Sequence, residues 1–215
     1  MSFEYLDFRI LEEKDHTLVW NLMLEEYFTR EPVCAVSNFS PDETKMYVGD
    51  FVNDGLWQHA SLGAFDKQSH KLVAIQINIL GKKPRKYLDY DENGYPMHVR
   101  QAIGIMDHIA GDTSDIIGTT DYMNFIVLCC RKSYCNRGIA TELYKRSEEI
   151  ARNEGCKKMY TIATNCYTRK ITDKFGYTVI NEMNYEDYVD TFTGNKIFNN
   201  IAKPHSNIAL VVKIL

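Results

Sequence analysis

The chain has 215 residues, 45% hydrophobic and 25% charged, which is enough to bury a core and excludes a disordered segment. Its formal net charge of -4 excludes a nucleic-acid binder that relies on a general basic field, but allows a local basic pocket for a phosphate-bearing ligand. The acidic start, MSFEYLDFRILEEKD, lacks the basic and long apolar regions of a signal peptide, and no stretch supplies the roughly 18 apolar residues that span a membrane. The expectation is a cytoplasmic protein of one domain, 1–215, with neither nucleic acid nor membrane as a partner. Its six cysteines (Cys34, Cys129, Cys130, Cys135, Cys156 and Cys166) form no CxxC pair. Cys129 and Cys130 adjoin in an apolar run, where strand geometry sends them to opposite faces. Reduced thiols, without a disulfide framework or a metal, fit that spacing.

In chain order, 8–11 reads as a first strand. A helix follows over 16–28, with Leu18, Leu22 and Met23 on one face and Pro32 closing the segment. Ser40-Pro41-Asp42-Glu43 is a capping-box start for a helix ending near Gly55. Two strands, 61–65 and 72–80, flank a polar turn, and 81–96 reads as a loop. A helix over 99–110 leads to a core strand, 123–130. After it, Ile139, Leu143 and Ile150 recur on one helical face, with Glu142, Lys145, Arg146 and Glu149 outside. A strand over 158–164, a helix over 166–175, a turn at Gly176 and strands near 178–183 and 207–214 complete the chain. A meander followed by strand–helix–strand units predicts a mixed α/β sheet.

The joint between the core strand and the helix after Gly138 carries a chemical signal. A helix N-terminus leaves backbone N–H groups unpaired, and its dipole favours an anion, above all a phosphate. Gly138 lets a ligand approach the backbone, while Arg137, Arg131 and Lys132 can add positive charge. A tight turn with no ligand produces the same local pattern.

Here the sequence resembles the GNAT superfamily of acyl-CoA-dependent N-acetyltransferases. Their signature, (Gln/Arg)-x-x-Gly-x-(Gly/Ala), corresponds to Cys135-Asn136-Arg137-Gly138-Ile139-Ala140, with Cys135 departing at the first position. Asn165, followed by Gly176-Tyr177, resembles the family's later segment, in which the asparagine caps a helix beside the pantetheine arm. Thr172 stands where many members carry a tyrosine that protonates the leaving thiolate. Tyr27-Phe28-Thr29-Arg30-Glu31-Pro32 and Lys203-Pro204-His205 resemble the insect-type arylalkylamine N-acetyltransferases.

The resemblance implies a mixed, mostly antiparallel sheet flanked by helices and splayed at the acetyl-CoA site. It implies direct acetyl transfer from acetyl-CoA to a small primary amine of the arylalkylamine kind, with no metal. Glu31 is then the general base and Tyr27 and Phe28 touch the substrate, with the aromatic-rich 185–198 segment as a further wall. Backbone N–H groups around Val127, Leu128 and Cys129 face the acyl carbonyl. Lys132, the Cys135–Ala140 turn and Asn165 hold CoA. Thr164 and Thr168 match serines proposed to assist the leaving thiolate, and they serve equally well as capping and packing residues. His205 is a proton relay or an ordinary loop histidine. Acetylation of polyamines or other small amines is the alternative within the class, and non-catalytic acyl-CoA binding is the alternative outside it.

Overall fold

The computed structural model of the chain describes residues 2–87 and 94–215. The middle of the expected 81–96 loop, 88–93, lies outside the described residues. Apolar, β-branched runs form β1 (Leu6–Ile10), β2 (Leu62–Asp66), β3 (Leu72–Leu80), β4 (Tyr122–Cys130), β5 (Lys158–Ala163), β6 (Thr178–Asn184) and β7 (Asn207–Ile214). They make one sheet in the order β1-β2-β3-β4-β5-β7-β6, with β4–β5 its parallel pair and antiparallel pairing elsewhere. This is the mixed, mostly antiparallel sheet that the sequence predicts. All nine residues of β3 are buried, as befits a strand covered on both faces.

One face carries α1 (His16–Leu22), α2 (Pro32–Ser37), α3 (Pro41–Trp57) and α4 (Met97–Ala110), which share a core with Ile75, Ile77, Val127 and Cys129. The other carries α6 (Ile139–Asn153) and α7 (Cys166–Lys174), packed on Met123, Phe125 and Ala74. Between α4 and β4 a short α5 (Thr113–Ile117), not expected from the sequence, seats Ile117 against Tyr160 and Val212. Cys129 and Cys130 do face opposite sides, and all six cysteines are free thiols. Helix α3 begins with the expected capping box: Ser40 Oγ accepts the Glu43 N–H, and the Glu43 carboxylate accepts the Ser40 N–H at 2.7 Å. Such caps contribute about 0.5–2 kcal/mol. The helix runs past Gly55 because that glycine is where it meets β3; a Cβ there would stand 2.7 Å from Ile77 Cγ2.

The first helix departs from expectation. Its buried stripe is Val19, Leu22 and Met23, while Leu18 is 47% exposed. After Leu22 the backbone widens into a π-turn, Met23–Tyr27, with the Phe28 N–H donating to Met23 O. Pro32 does not close a segment but opens α2 at its first position, where its missing N–H costs nothing.

Two further irregularities shape the centre of the sheet. Strands β4 and β5 pair only from Tyr122↔Lys158 to Phe125↔Thr161. Beyond that point β4 continues beside β3 alone and β5 beside β7 alone, so a gap opens between them. At the same level Ile77 pairs with Val127 and Asn78 with Phe125, leaving Ile126 as the extra residue of a bulge. Bulges bend a strand and increase its twist. This one turns Ile126 and Val127 towards the same core, away from the side that Phe125 faces.

Candidate functional site

A cleft occupies the gap. Tyr27 and Glu31 enter from one face, Leu128 from β4, and Thr164, Asn165 and Thr168 from the junction of β5 and α7. Far apart in sequence, these expected site residues meet in one place. At the closed end the Thr161 hydroxyl donates to Phe125 O at 2.7 Å, pinning the last β4–β5 pair.

Glu31 is the N-cap of α2 in extended conformation, and its Oε2 accepts the Cys34 N–H at 2.7 Å. That one bond fixes the carboxylate, which is 5% exposed, while Oε1 is buried without a partner. A buried acceptor left open costs free energy unless a ligand donor fills it. Burial, reinforced by the Glu31 charge, pushes the Tyr27 and Tyr185 phenols and the Cys34 thiol well up, so all three stay protonated at neutral pH. The site therefore offers one free carboxylate oxygen among neutral hydroxyls.

The expected backbone donors narrow to one. The Arg131 N–H donates to Val73 O, so along β4 the amides of Cys129 and Val127 also turn towards β3. Leu128 and Cys130 turn the other way, into the gap, and Cys130 O accepts Arg30 Nη1 at 3.0 Å. Leu128 thus presents its N–H along the open edge, whereas the Val127 and Cys129 amides are committed to the sheet.

Asn165 caps α7 as expected, its Oδ1 accepting the N–H groups of Tyr167 and Thr168 at 3.1 and 2.8 Å. Helix α7 starts at Cys166, so Thr164 precedes the helix and shares no helical stripe with Thr168, although both line the cleft. The Thr164 carbonyl accepts the Tyr185 hydroxyl at 2.6 Å. Thr172 is fully buried, and its hydroxyl donates back to Arg169 O. His205 stands at the start of α7 instead of in the cleft wall. Its Nδ1 accepts the Cys166 N–H at 3.4 Å and its ring meets Tyr167 edge-on. Burial lowers its pKa against the opposing pull of Glu31.

The turn before α6 has the features of an anion cradle. Gly138 is its N-cap at φ 79°, with no side-chain cap, and Asn136 is also left-handed at φ 61°. The first-turn N–H groups, from Ile139 and Ala140 onward, therefore lack a side-chain acceptor. Arg137 lies over the Tyr134 ring and donates to Ser133 O at 2.9 Å, while Lys132 is exposed. Arg131 is held by Glu25 and by Leu72 O.

Two substrate-wall expectations are corrected. Phe28 is buried against Trp20, behind Tyr27 and outside the cleft. Tyr185, Tyr188 and Phe198 are 1–2% exposed core residues, and Phe192, the exposed aromatic of the 185–198 segment, lies under Arg100 outside the cleft lining. Sequence reasoning also missed three residues. Arg30 joins Glu26, Cys130 O and Cys135 Sγ, linking the Glu31 segment to the turn before α6. Tyr144 and Gln76 line the cleft. Gln76 did leave a sign, as a polar residue inside the apolar run LVAIQINIL.

The model of the Acetyltransferase (GNAT) family matches residues 86–177, a span that includes β4, the turn before α6, α6 itself, β5 and α7. No curated protein matches the chain in sequence. Among solved structures the chain is similar to arylalkylamine N-acetyltransferase 2 from Aedes aegypti, with a TM-score of 0.78 at 17% identity over 97% of this chain and 98% of that one. It is also similar to the Drosophila melanogaster polyamine N-acetyltransferase that forms N-acetylagmatine, with a TM-score of 0.76 at 16% identity over 98% and 100%. A third similarity is to the C-terminal condensation domain of Ebony in complex with β-alanyl-dopamine, with a TM-score of 0.80 at 12% identity over 98% and 99%. The fold is the GNAT fold.

Proposed function

We propose that the chain is an enzyme that transfers the acetyl group of acetyl-CoA to a small primary amine. The observation that carries this reading is the cleft itself. The sheet parts beside an uncapped helix N-terminus, and a buried carboxylate with an open oxygen stands at the parting. The family match over 86–177 supports the same chemistry.

In this reading the backbone of Gly138, Ile139 and Ala140 receives the CoA phosphates, with Arg137 and Lys132 adding charge. The pantetheine arm lies in the gap between β4 and β5, beside Asn165. A primary amine is mostly protonated at neutral pH and cannot attack a thioester in that state. Glu31 accepts its proton through Oε1. The amine nitrogen then attacks the acetyl carbon, and the Leu128 N–H stabilises the oxygen as it gains charge. Collapse breaks the carbon–sulfur bond, the electron pair leaves on the CoA sulfur, and the second proton of the attacking nitrogen passes to that thiolate, with the hydroxyls of Thr164 and Thr168 as nearby hydrogen-bond donors. The buried Thr172 plays no part.

Within small amines, the burial of Phe28, Tyr185 and Phe198 removes three aromatics from the expected substrate wall, which supports an alkyl or polyamine-type substrate. Tyr27, the substrate aromatic expected from the sequence that does line the cleft, favours the arylalkylamine reading. The test is acetyl-CoA turnover with agmatine, spermidine, tyramine, dopamine, serotonin and tryptamine, with acetylated product detected by mass. Acetylated amine from one arm identifies the class. Absence of product from every arm, with CoA still bound, rejects catalysis.

A further inference from the structure

Gln76 is fully buried on β3, yet its Oε1 has no hydrogen-bond partner. Its Nε2 donates to Ile77 O at 3.4 Å, which sets the amide with its oxygen free. The nearby Asn78 is anchored differently, its Nδ2 donating to Ala60 O at 2.8 Å and to Ser147 Oγ of α6 at 3.0 Å. An amide acceptor left open inside a protein is costly, so its retention at a cleft points to a ligand donor.

The position of Gln76 identifies that donor. Residues 74, 76 and 78 share one face of β3. Ala74 packs with Ile139 and Leu143, and Asn78 reaches Ser147, so this is the face covered by α6. Glu31 reaches the cleft from the opposite side, where Val33, Cys34 and Tyr47 pack. Gln76 also pairs with Leu128, the β4 residue whose N–H turns into the gap. It therefore borders the half of the cleft nearer the phosphate turn. A thioester carries no N–H; the donors on that arm are its two amides and, farther from the thioester, one hydroxyl.

We propose that Gln76 Oε1 accepts an amide N–H of the pantetheine arm and so fixes the depth at which the thioester sits beside Leu128. This rests on the acetyl-CoA reading above. The carboxylate and the amide thus divide the cleft: Glu31 serves the amine and Gln76 the acyl carrier.

The test uses calorimetric binding of CoA and of a control nucleotide, adenosine 3′-phosphate 5′-diphosphate, which has all three phosphates of CoA but no arm. Gln76→Met, close in size and without the acceptor, is expected to weaken CoA by about 5- to 100-fold and to leave the control nucleotide unchanged. Gln76→Glu keeps an acceptor oxygen and is expected to retain the preference for CoA over the control nucleotide, which keeps the question open to measurement if the Met variant does not fold. Equal CoA affinity in wild type and Gln76→Met overturns the assignment. So does loss of the CoA preference in Gln76→Glu, or an effect confined to the KM of the amine. Failure of the wild type to bind CoA at all instead overturns the acetyl-CoA reading.

Discussion

The cleft at Glu31 and the turn before α6 are built by different means. At Glu31 the work falls to side chains: one carboxylate, capped into place by the Cys34 N–H and surrounded by neutral phenols. At the turn before α6 it falls to backbone, since Gly138 and Asn136 are left-handed and the helix start has no side-chain cap. A backbone site tolerates side-chain change, so under the proposed function Cys135 is compatible with anion binding at this turn. A side-chain site tolerates much less. Substitutions at the two places should therefore differ in size and in which kinetic constant they move.

The largest effect is expected at Glu31. Glu31→Gln keeps an oxygen that can cap α2, so it removes the base without removing the fold. Turnover should fall by about 100- to 10,000-fold near neutral pH, with CoA affinity nearly intact. Raising the pH supplies more free amine and should recover part of the loss. A pH–rate profile of both proteins from about pH 6 to 9, which spans the approach to amine deprotonation, checks this. Coinciding profiles would return Glu31 to a purely structural cap.

An intermediate effect is expected at Gly138. A β-branched residue held at positive φ carries about 1–3 kcal/mol of strain and places methyl groups where the phosphates approach. Gly138→Val should weaken CoA by about tenfold or more, while the turnover of the saturated enzyme changes little. Unchanged CoA affinity in the folded variant would move the phosphates elsewhere. The smallest effect is expected at Cys135, whose thiol accepts from Arg30 Nη2 at 3.5 Å and does not line the cleft. Cys135→Ser should keep turnover near the wild-type value. An acetyl group trapped on Cys135, with activity lost in the serine variant, would replace direct transfer by a covalent route.

Features governed by near neighbours were legible in the sequence. The Ser40–Glu43 box, the Ile139–Leu143 face and the Asn165 cap each depend on residues within about one helical turn. The gap between β4 and β5 is a different matter, because no local pattern shows where two strands stop pairing. For the same reason an N–H at Leu128 could not be separated in advance from those at Val127 and Cys129. Only the bulge at Ile126 and the pairing with β3 sort them. Phe28 and Tyr27 adjoin in sequence, yet the π-turn sends one to the core and the other to the cleft. Pro32 is ambiguous by nature, since proline serves both after a helix and at its first position. Burial, not sequence, revealed that Gln76 has an open oxygen.

The parting of β4 and β5 also bears on how the protein survives without its ligand. A sheet edge is normally found at the rim of a fold, where it invites pairing with other chains. Here two such edges lie in the middle, held together by the short run of pairs ending at Phe125↔Thr161. An extended ligand arm with its own amide and carbonyl groups would act as the missing strand between them. Occupancy would then protect the molecule as well as prime it, by about 2.7 kcal/mol when the ligand stands at a hundred times its dissociation constant. In a cell the level of that ligand would help to set how long the chain lasts, independently of how fast it works.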